Sequence, residues 1–301
     1  MLRVLFFGMT GHFSIPPLER LLDLGVDLCG VIVPAALPHS DGAPQLLSVP
    51  PSPPTDLPVI NPYLERNIIH LAWVNNLPVW EVGSLSMPKS LELMTRLKPD
   101  LIVVACFTLV FPKALLTLPR YGCLNLHPSL LPRYRGPAPL FWIARQDERL
   151  TGVTLHMMTE ALDSGDIVAQ TQFERPEGIS ETELEQRCAI EGSTLLVNVV
   201  EQLKLGHPLP RRPQIETEAS YFPWPAAADF RIPTDWPAHR AFNFIRGAVD
   251  WPLFISVGDV DFYIRKVLSY SQNHRLESSH QLIGDELWVQ FQPGGLRAKI
   301  R

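Results

Sequence analysis

The first half of the chain alternates short continuous apolar segments with stretches whose apolar residues recur every three or four positions. "LRVLFFG" (2–8), "VDLCGVIVP" (26–34), "LPVWEV" (77–82) and "DLIVVACF" (100–107) are of the first kind, and their length suits strands buried on both faces. "IPPLERLLDLG" (15–25), "LERNIIHLAWVNN" (64–76) and "MPKSLELMTRLKP" (87–99) carry helical spacing; Gly25 stops the first and a proline opens the last. A short helix at "PKALLTLP" leads into a further strand, "GCLNLHPS". Strand alternating with helix predicts an α/β fold, a Rossmann-like, mostly parallel sheet with helices on both faces. Two more strand-like runs follow near 152–158 and 166–173. A long amphipathic helix over 180–206 opens with a Ser-x-x-Glu capping box and ends at Gly206. "HPLPRRPQIETEAS" reads as a linker. Beyond it, a helix over 236–249 and β-like runs near 253–257, 260–270 and 286–300 predict a smaller, mostly β domain. The expected division is therefore 1–206 and 207–301.

One strand end breaks the apolar pattern. In "NLHPSLLPRYRG" (125–136), Asn125, His127 and Ser129 occupy alternate positions, so in a strand they share one face while Leu126 points to the other. Pro128 cannot donate to a ladder and should end the strand. In parallel sheets, ligands bind beyond the carboxyl ends of the strands, which is where Asn125 and His127 fall. Downstream, "TEALDSG" lies between the two later strand-like runs, and Ser164 and Gly165 allow a tight turn that would present Asp163 at a loop tip.

Composition narrows the classes. The chain has 301 residues, 46% hydrophobic, which excludes a disordered chain. A net charge of −5 gives no global sign of a polyanion partner. The four cysteines (Cys29, Cys106, Cys123, Cys188) are scattered without a C-x-x-C pair, so neither a disulfide framework nor a metal site is expected. "MLRVLFFG" is too short for a signal-peptide core, and no apolar stretch approaches spanning length; a cytoplasmic protein without membrane contact is the expectation. The 30 prolines concentrate partly in "AALPHSDGAPQLLSVPPSPPTDLP" (35–58), an insertion of a length that is either functional or disordered.

"GCLNLHPSLLPRYRG" followed some thirty residues later by "LDSGDI" resembles the folate-dependent formyltransferase family. "LIVVACFTLVFPKALL" resembles that family's pterin-side strand and loop. "DWPAHRAFNFIRGAV" followed by "WPLF" is similar to the start of its C-terminal OB-like β-barrel, so the resemblance covers nearly the whole chain. It implies that Asn125, His127 and Asp163 are the catalytic trio. It further implies that 10-formyltetrahydrofolate is the formyl donor, and that backbone groups at Leu109, Val110, Phe111, Thr159, Glu160 and Ala161 hold the pterin. Metal is not required.

The chemistry is consistent with those residue types. Moving a formyl group to an amine passes through a tetrahedral oxyanion, which an amide donor at Asn125 and an imidazolium at His127 would stabilise. Asp163 would favour the protonated imidazole and relay the amine's proton. Ser129 is expected to support the strand rather than react, and His156 to be a structural histidine. "GMTGHFS" (8–14) is expected to be a tight β–α turn lining the acceptor cleft. Arg133 and Arg135 are candidates for gripping an acceptor phosphate or are solvated turn arginines.

The full-length architecture implies methionyl-tRNA as first acceptor. Against it, no Lys or Arg occurs between Arg20 and Arg66, where such enzymes carry a basic insertion, and from 207 onward 11 basic residues face 10 acidic ones. "VTLHMM", "DIVAQ" and "RGPAPLFW" are at least as similar to sugar-nucleotide N-formyltransferases, with an amino-sugar nucleotide as acceptor. The hydrolases of formyltetrahydrofolate share "HPSLLPR". A non-enzymatic folate-binding protein is the remaining alternative.

Overall fold

The computed structural model of the chain describes residues 1–35, 43–48 and 67–300. The elements follow in the order β1 (Arg3–Gly8), α1 (Ile15–Asp23), β2 (Asp27–Pro34), β3 (Gln45–Leu47), α2 (Ile68–Val74), β4 (Val79–Val82) and α3 (Pro88–Leu97). Then come β5 (Leu101–Ala105), α4 (Lys113–Leu116), β6 (Cys123–His127), α5 (Pro139–Arg145), β7 (Leu150–Met157), β8 (Ile167–Glu174) and α6 (Glu181–Lys204). The remainder is β9 (Arg231–Pro233), α7 (Ala238–Gly247), β10 (Phe254–Val257), β11 (Val260–Ser271), β12 (His280–Ile283), β13 (Glu286–Gln290) and β14 (Gly295–Ile300).

β1 to β8 form one sheet in the order β3-β4-β2-β1-β5-β6-β7-β8. The ladders β4-β2-β1-β5-β6 are parallel, as the unbroken apolar strands predict, and β1, β2 and β5 are almost wholly buried. From β1 the chain builds outward through β2 and β4, then returns to β5 on the other side of β1. That reversal creates a switch point between the carboxyl ends of β1 and β5. There the predicted turn after Gly8 is closed by Ser14, whose hydroxyl donates to the Ala105 carbonyl (2.6 Å) and accepts from the Met9 amide (3.0 Å). The edge strand β3 was not anticipated; it falls inside the Pro-rich stretch 35–58 and pairs antiparallel with β4. The rest of that stretch, 36–42 and 49–58, lies outside the described residues, as do 64–66 of the predicted second helix. Asn67 caps α2, its side-chain oxygen accepting from the Ile69 and His70 amides.

α6 begins as its capping box predicts: the Ser180 amide donates to the Glu183 carboxylate (2.9 Å) and the Glu183 amide to the Ser180 hydroxyl (3.3 Å). Gly192 lets α6 lie close to the sheet. A β-carbon there would stand 2.9 Å from Leu126 of β6 and 3.0 Å from Val153 of β7. Leu126 is the apolar residue between Asn125 and His127, so the helix backs the strand that carries both.

Contacts divide the chain into two compact units. The first holds 1–135, 152–171 and 186–219; the second holds 136–151, 172–185 and 220–301. The second unit contains the smaller sheet, in the order β12-β13-β14-β11-β10-β9, antiparallel except for the β9–β10 ladder. Its core gathers rings of α5 and α7: Phe141 lies 5.3 Å from Phe244 and 4.9 Å from Trp251, with Trp142 stacked on Phe222 at 4.9 Å. α5, β9 and β12 escaped the sequence pattern because each is short and its burial is set by these aromatic neighbours or by sheet pairing. The single β-like run predicted over 286–300 is two strands, β13 and β14, paired as a hairpin.

Gly192→Val should overpack the seam between α6 and the β6–β7 pair and cost about 1–3 kcal/mol, read as a lower unfolding midpoint in denaturant. Gly192→Ala should cost much less, because helix propensity gained, roughly 0.5–1 kcal/mol, offsets the crowding.

Candidate active site

β6 and β7 are antiparallel, with Asn125 opposite His156 and His127 opposite Thr154. The register therefore sets His156 beside the two polar residues of β6. His156 is 1% exposed, and its Nδ1 lies 2.8 Å from the Met157 carbonyl. A carbonyl only accepts, so Nδ1 carries a proton. Burial pulls the imidazole pKa down to about 4, against the nearby Asp163 carboxylate, which raises it; the ring is neutral at ordinary pH. Nε2 is then an acceptor, and it takes an N–H from the Asn125 side-chain amide at 3.1 Å. This fixes which end of the Asn125 amide faces inward.

His127 is held from the other direction. Its Nε2 lies 2.8 Å from the Tyr134 carbonyl and so carries a proton, leaving Nδ1 turned to Asp163. The loop that supplies this carbonyl is tied down by Ser129, just past β6, and by polar residues of β7 and β8. Ser129 donates to the Arg133 carbonyl (2.8 Å), the Thr154 hydroxyl to the Ser129 carbonyl (2.7 Å), and Gln170 to the Leu131 carbonyl (2.9 Å). Ser129 is fully buried in this network, in line with the supporting role expected of it.

Asp163 comes from the loop between β7 and β8. Its Oδ2 stands 3.8 Å from His127 Nδ1 and its Oδ1 3.7 Å from His156 Nε2, so one carboxylate faces both imidazoles. These separations exceed a direct hydrogen bond. Rather than standing at an exposed tip, Asp163 is 8% exposed with a left-handed backbone (φ 53°). Two residues on, Gly165 packs so closely that a β-carbon would lie 2.0 Å from the Met157 carbonyl oxygen, which folds the loop back over the end of β7.

The residues expected to hold the pterin sit on two loops beyond these strand ends. Val110 is 84% exposed and Leu109 rests partly against the core, whereas Phe111 is buried, its ring 5.0 Å from Phe7 and 5.9 Å from Phe107. Thr159, Glu160 and Ala161 are exposed, and the Thr159 hydroxyl donates to the Ala161 carbonyl (2.9 Å). The two loops are neighbours: Lys113, just past the first, pairs with Glu160 of the second at 3.3 Å, and the Met158 amide donates to the Cys123 carbonyl of β6 (2.8 Å).

Arg135 does not project as a solvated turn residue. Its side chain is 10% exposed and binds Gln214 and Glu216. The thiols of Cys29 and Cys123 are pushed up by burial, to about 11 and about 12, and are not nucleophiles at neutral pH. Among the described residues no group of three or more His, Cys, Asp or Glu is placed to hold a metal ion, and no helix is long and apolar enough to cross a membrane.

The sequence alone gives His156 only a structural role and places Gln214 in a linker. The alternation of "VTLHMM" was the one available signal for His156, and it becomes informative only once β7 is known to pair antiparallel with β6.

A family profile described as "Formyl transferase" matches residues 63–200. The methionyl-tRNA formyltransferase of Bacillus velezensis is 34% identical over 84% of this chain and 74% of its own. The enzyme of the same name from Geotalea uraniireducens is 33% identical over 83% and 74%. Among solved structures, the N-formyltransferase of Helicobacter canadensis, in complex with folinic acid and dTDP-3-aminofucose, superposes with a TM-score of 0.67 at 16% identity, covering 100% of both chains. Fold and relatives define a formyl-transferring enzyme. The chain belongs to the formyltransferase family.

Because His156 is held neutral, the folded state binds fewer protons than the unfolded state between about pH 4 and the ordinary imidazole value near 6.5. Its contribution to stability is therefore present above that window and lost as pH falls through it. Melting temperature followed from pH 7 to pH 4 should drop less steeply in His156→Gln than in the parent; equal slopes would contradict the neutral assignment.

Proposed function

We propose that the chain transfers a formyl group from 10-formyltetrahydrofolate to a primary amine at the site formed by Asn125, His127 and Asp163, and that methionyl-tRNA is the acceptor. The observation that carries the site is the single buried carboxylate of Asp163 facing both His127 and His156, with Asn125 oriented by the latter. Asn125 has one amide N–H engaged by His156, and its second N–H is the donor for the formyl oxygen as that atom gains charge. His127 holds a proton at Nε2 on the Tyr134 carbonyl and turns Nδ1 toward Asp163 and the reacting centre. Asp163 accepts the proton the amine must lose, directly or through water. The donor supplies the formyl carbon and its leaving nitrogen; backbone groups at 109–111 and 159–161 are the proposed holders of its pterin. The adjacency of those two loops supports this assignment.

The choice of methionyl-tRNA rests on relatives that bear that name at 34% and 33% identity. A second reading, an amino-sugar nucleotide as acceptor, draws on the absence of Lys and Arg between Arg20 and Arg66 and on full-length superposition with the Helicobacter enzyme. A cytoplasmic location follows from a tRNA acceptor and agrees with four cysteines that form no disulfide among the described residues.

Tetrahydrofolate release from 10-formyltetrahydrofolate, with methionyl-tRNA, dTDP-3-aminofucose or no acceptor, distinguishes the readings. Release with methionyl-tRNA alone supports the proposal, and release without acceptor would assign a hydrolase. Binding to tRNA should weaken steeply with salt, since each phosphate neutralised adds to the slope, whereas a nucleotide sugar should respond weakly. No tRNA binding at low salt would overturn the acceptor assignment.

Asn125→Ala and His127→Ala should each lower kcat about 100- to 1000-fold, far more than they lower folate affinity or melting temperature, because the interactions that matter for turnover form mainly in the transition state. The double variant should be no worse than the poorer single one by the full product. Ser129→Ala, by contrast, should lower the melting temperature with a much smaller effect on kcat. Near-normal turnover in His127→Ala would end the assignment.

A further inference from the structure

The loop that carries Asp163 is held by a residue far from it in sequence. Gln214 donates from Nε2 to the carbonyls of Asp163 and Gly165, both at 2.8 Å. Its Oε1 accepts from Arg135 twice, from Nε at 3.1 Å and from Nη2 at 2.8 Å. An amide has two N–H donors and an oxygen with two lone pairs, so the whole hydrogen-bonding capacity of Gln214 is spent on this link. Arg135 is fixed in turn by Glu216, whose two carboxylate oxygens accept from Nη1 (3.0 Å) and Nη2 (2.7 Å), a fork that orients the guanidinium plane. An antiparallel bridge between Ile167 and Arg212, with N···O distances of 2.8 and 3.0 Å, anchors the Gln214 segment to the start of β8.

This attachment has a specific consequence at Asp163. A left-handed backbone (φ 53°) is uncommon for a non-glycine residue, and Asp adopts it more readily where neighbouring groups stabilise it. Gln214 binds the carbonyl of that residue and the carbonyl two residues on, spanning the left-handed backbone. We propose that Gln214, oriented by Arg135 and Glu216, is a positioning residue that sets where the Asp163 carboxylate stands relative to His127 and His156. The inference rests on the reading of Asn125, His127 and Asp163 as the reacting site. It also gives Arg135 a role distinct from gripping an acceptor phosphate: its guanidinium is committed to Gln214 and Glu216.

Two variants remove the donors while keeping the side chain's length. Gln214→Glu retains acceptors for Arg135 but repels the two carbonyls, and Gln214→Met retains neither. Turnover of 10-formyltetrahydrofolate, with whichever of methionyl-tRNA and dTDP-3-aminofucose the parent chain uses, should fall about 10- to 100-fold in kcat in both, because a displacement near 1 Å at a reacting group costs about that much. The pH profile of kcat should shift, since the distance from Asp163 to the imidazoles changes. In an Asp163→Asn background the same substitutions should add little, because Gln214 acts through that carboxylate. Lowered melting temperature with kcat and pH profile unchanged in both variants would overturn the proposal and leave a structural brace. So would full additivity with Asp163→Asn. Parent-like turnover in Asp163→Asn itself would instead defeat the underlying site assignment, so the two failures are distinguishable. Should Gln214→Glu not fold, Gln214→Met alone carries the comparison; failure of both to fold would also count for the brace.

Discussion

The site is governed by one constraint: polar side chains taken out of water at the end of a parallel sheet must satisfy one another. The β6–β7 register meets this by setting Asn125 opposite His156, so the buried neutral imidazole, whose Nε2 burial would otherwise leave unsatisfied, accepts from the half-buried Asn125 amide. A charged His156 would break the arrangement, because its Nε2 would become a second donor facing the first. Burial, by keeping that ring neutral, is thus what orients Asn125. The same register brings Thr154 opposite His127, where its hydroxyl secures the loop whose Tyr134 carbonyl holds the His127 ring.

The scaffold behind these groups is apolar and close-packed. Leu126, on the reverse face of the site strand, meets α6 at Gly192, so the position of Asn125 and His127 is tied to a helix interface that tolerates little added volume. Asp163 has no such backing from a strand. It reaches the imidazoles from a loop, and it depends on Gly165 folding against Met157 and on the Gln214 amide for its place. The rigid half of the site is therefore built by the sheet, and the adjustable half by hydrogen bonds between distant segments.

Charge bears on the acceptor more than on the reaction. The proposed transfer site is a few residues at one strand end, while recognition of a tRNA depends on many exposed cations acting together. The curated relatives point to methionyl-tRNA, whereas the charge pattern between Arg20 and Arg66 points away from a basic grip in that stretch.

The amino-acid sequence by itself determined the parallel sheet, the capped α6 and the pairing of Asn125 with His127 on one strand face. These features follow from local periodicity, local capping and the two-residue repeat of a strand, all written in neighbouring positions. The resemblance carried by "NLHPS" and "LDSGD" extended that reading to Asp163. What only the tertiary structure decided are contacts whose partners lie far apart in sequence. His156 became part of the site through antiparallel register, which no single strand encodes. Arg135 turned inward because Gln214 and Glu216 are brought to it from about eighty residues away. Gln214 itself, in a stretch whose prolines and charges read as a linker, acquired a role because a bridge to β8 set its amide under the Asp163 loop. Hydrogen bonds of this kind leave no periodic trace in a sequence, since a side-chain amide has the same local preferences whether it faces water or two backbone carbonyls.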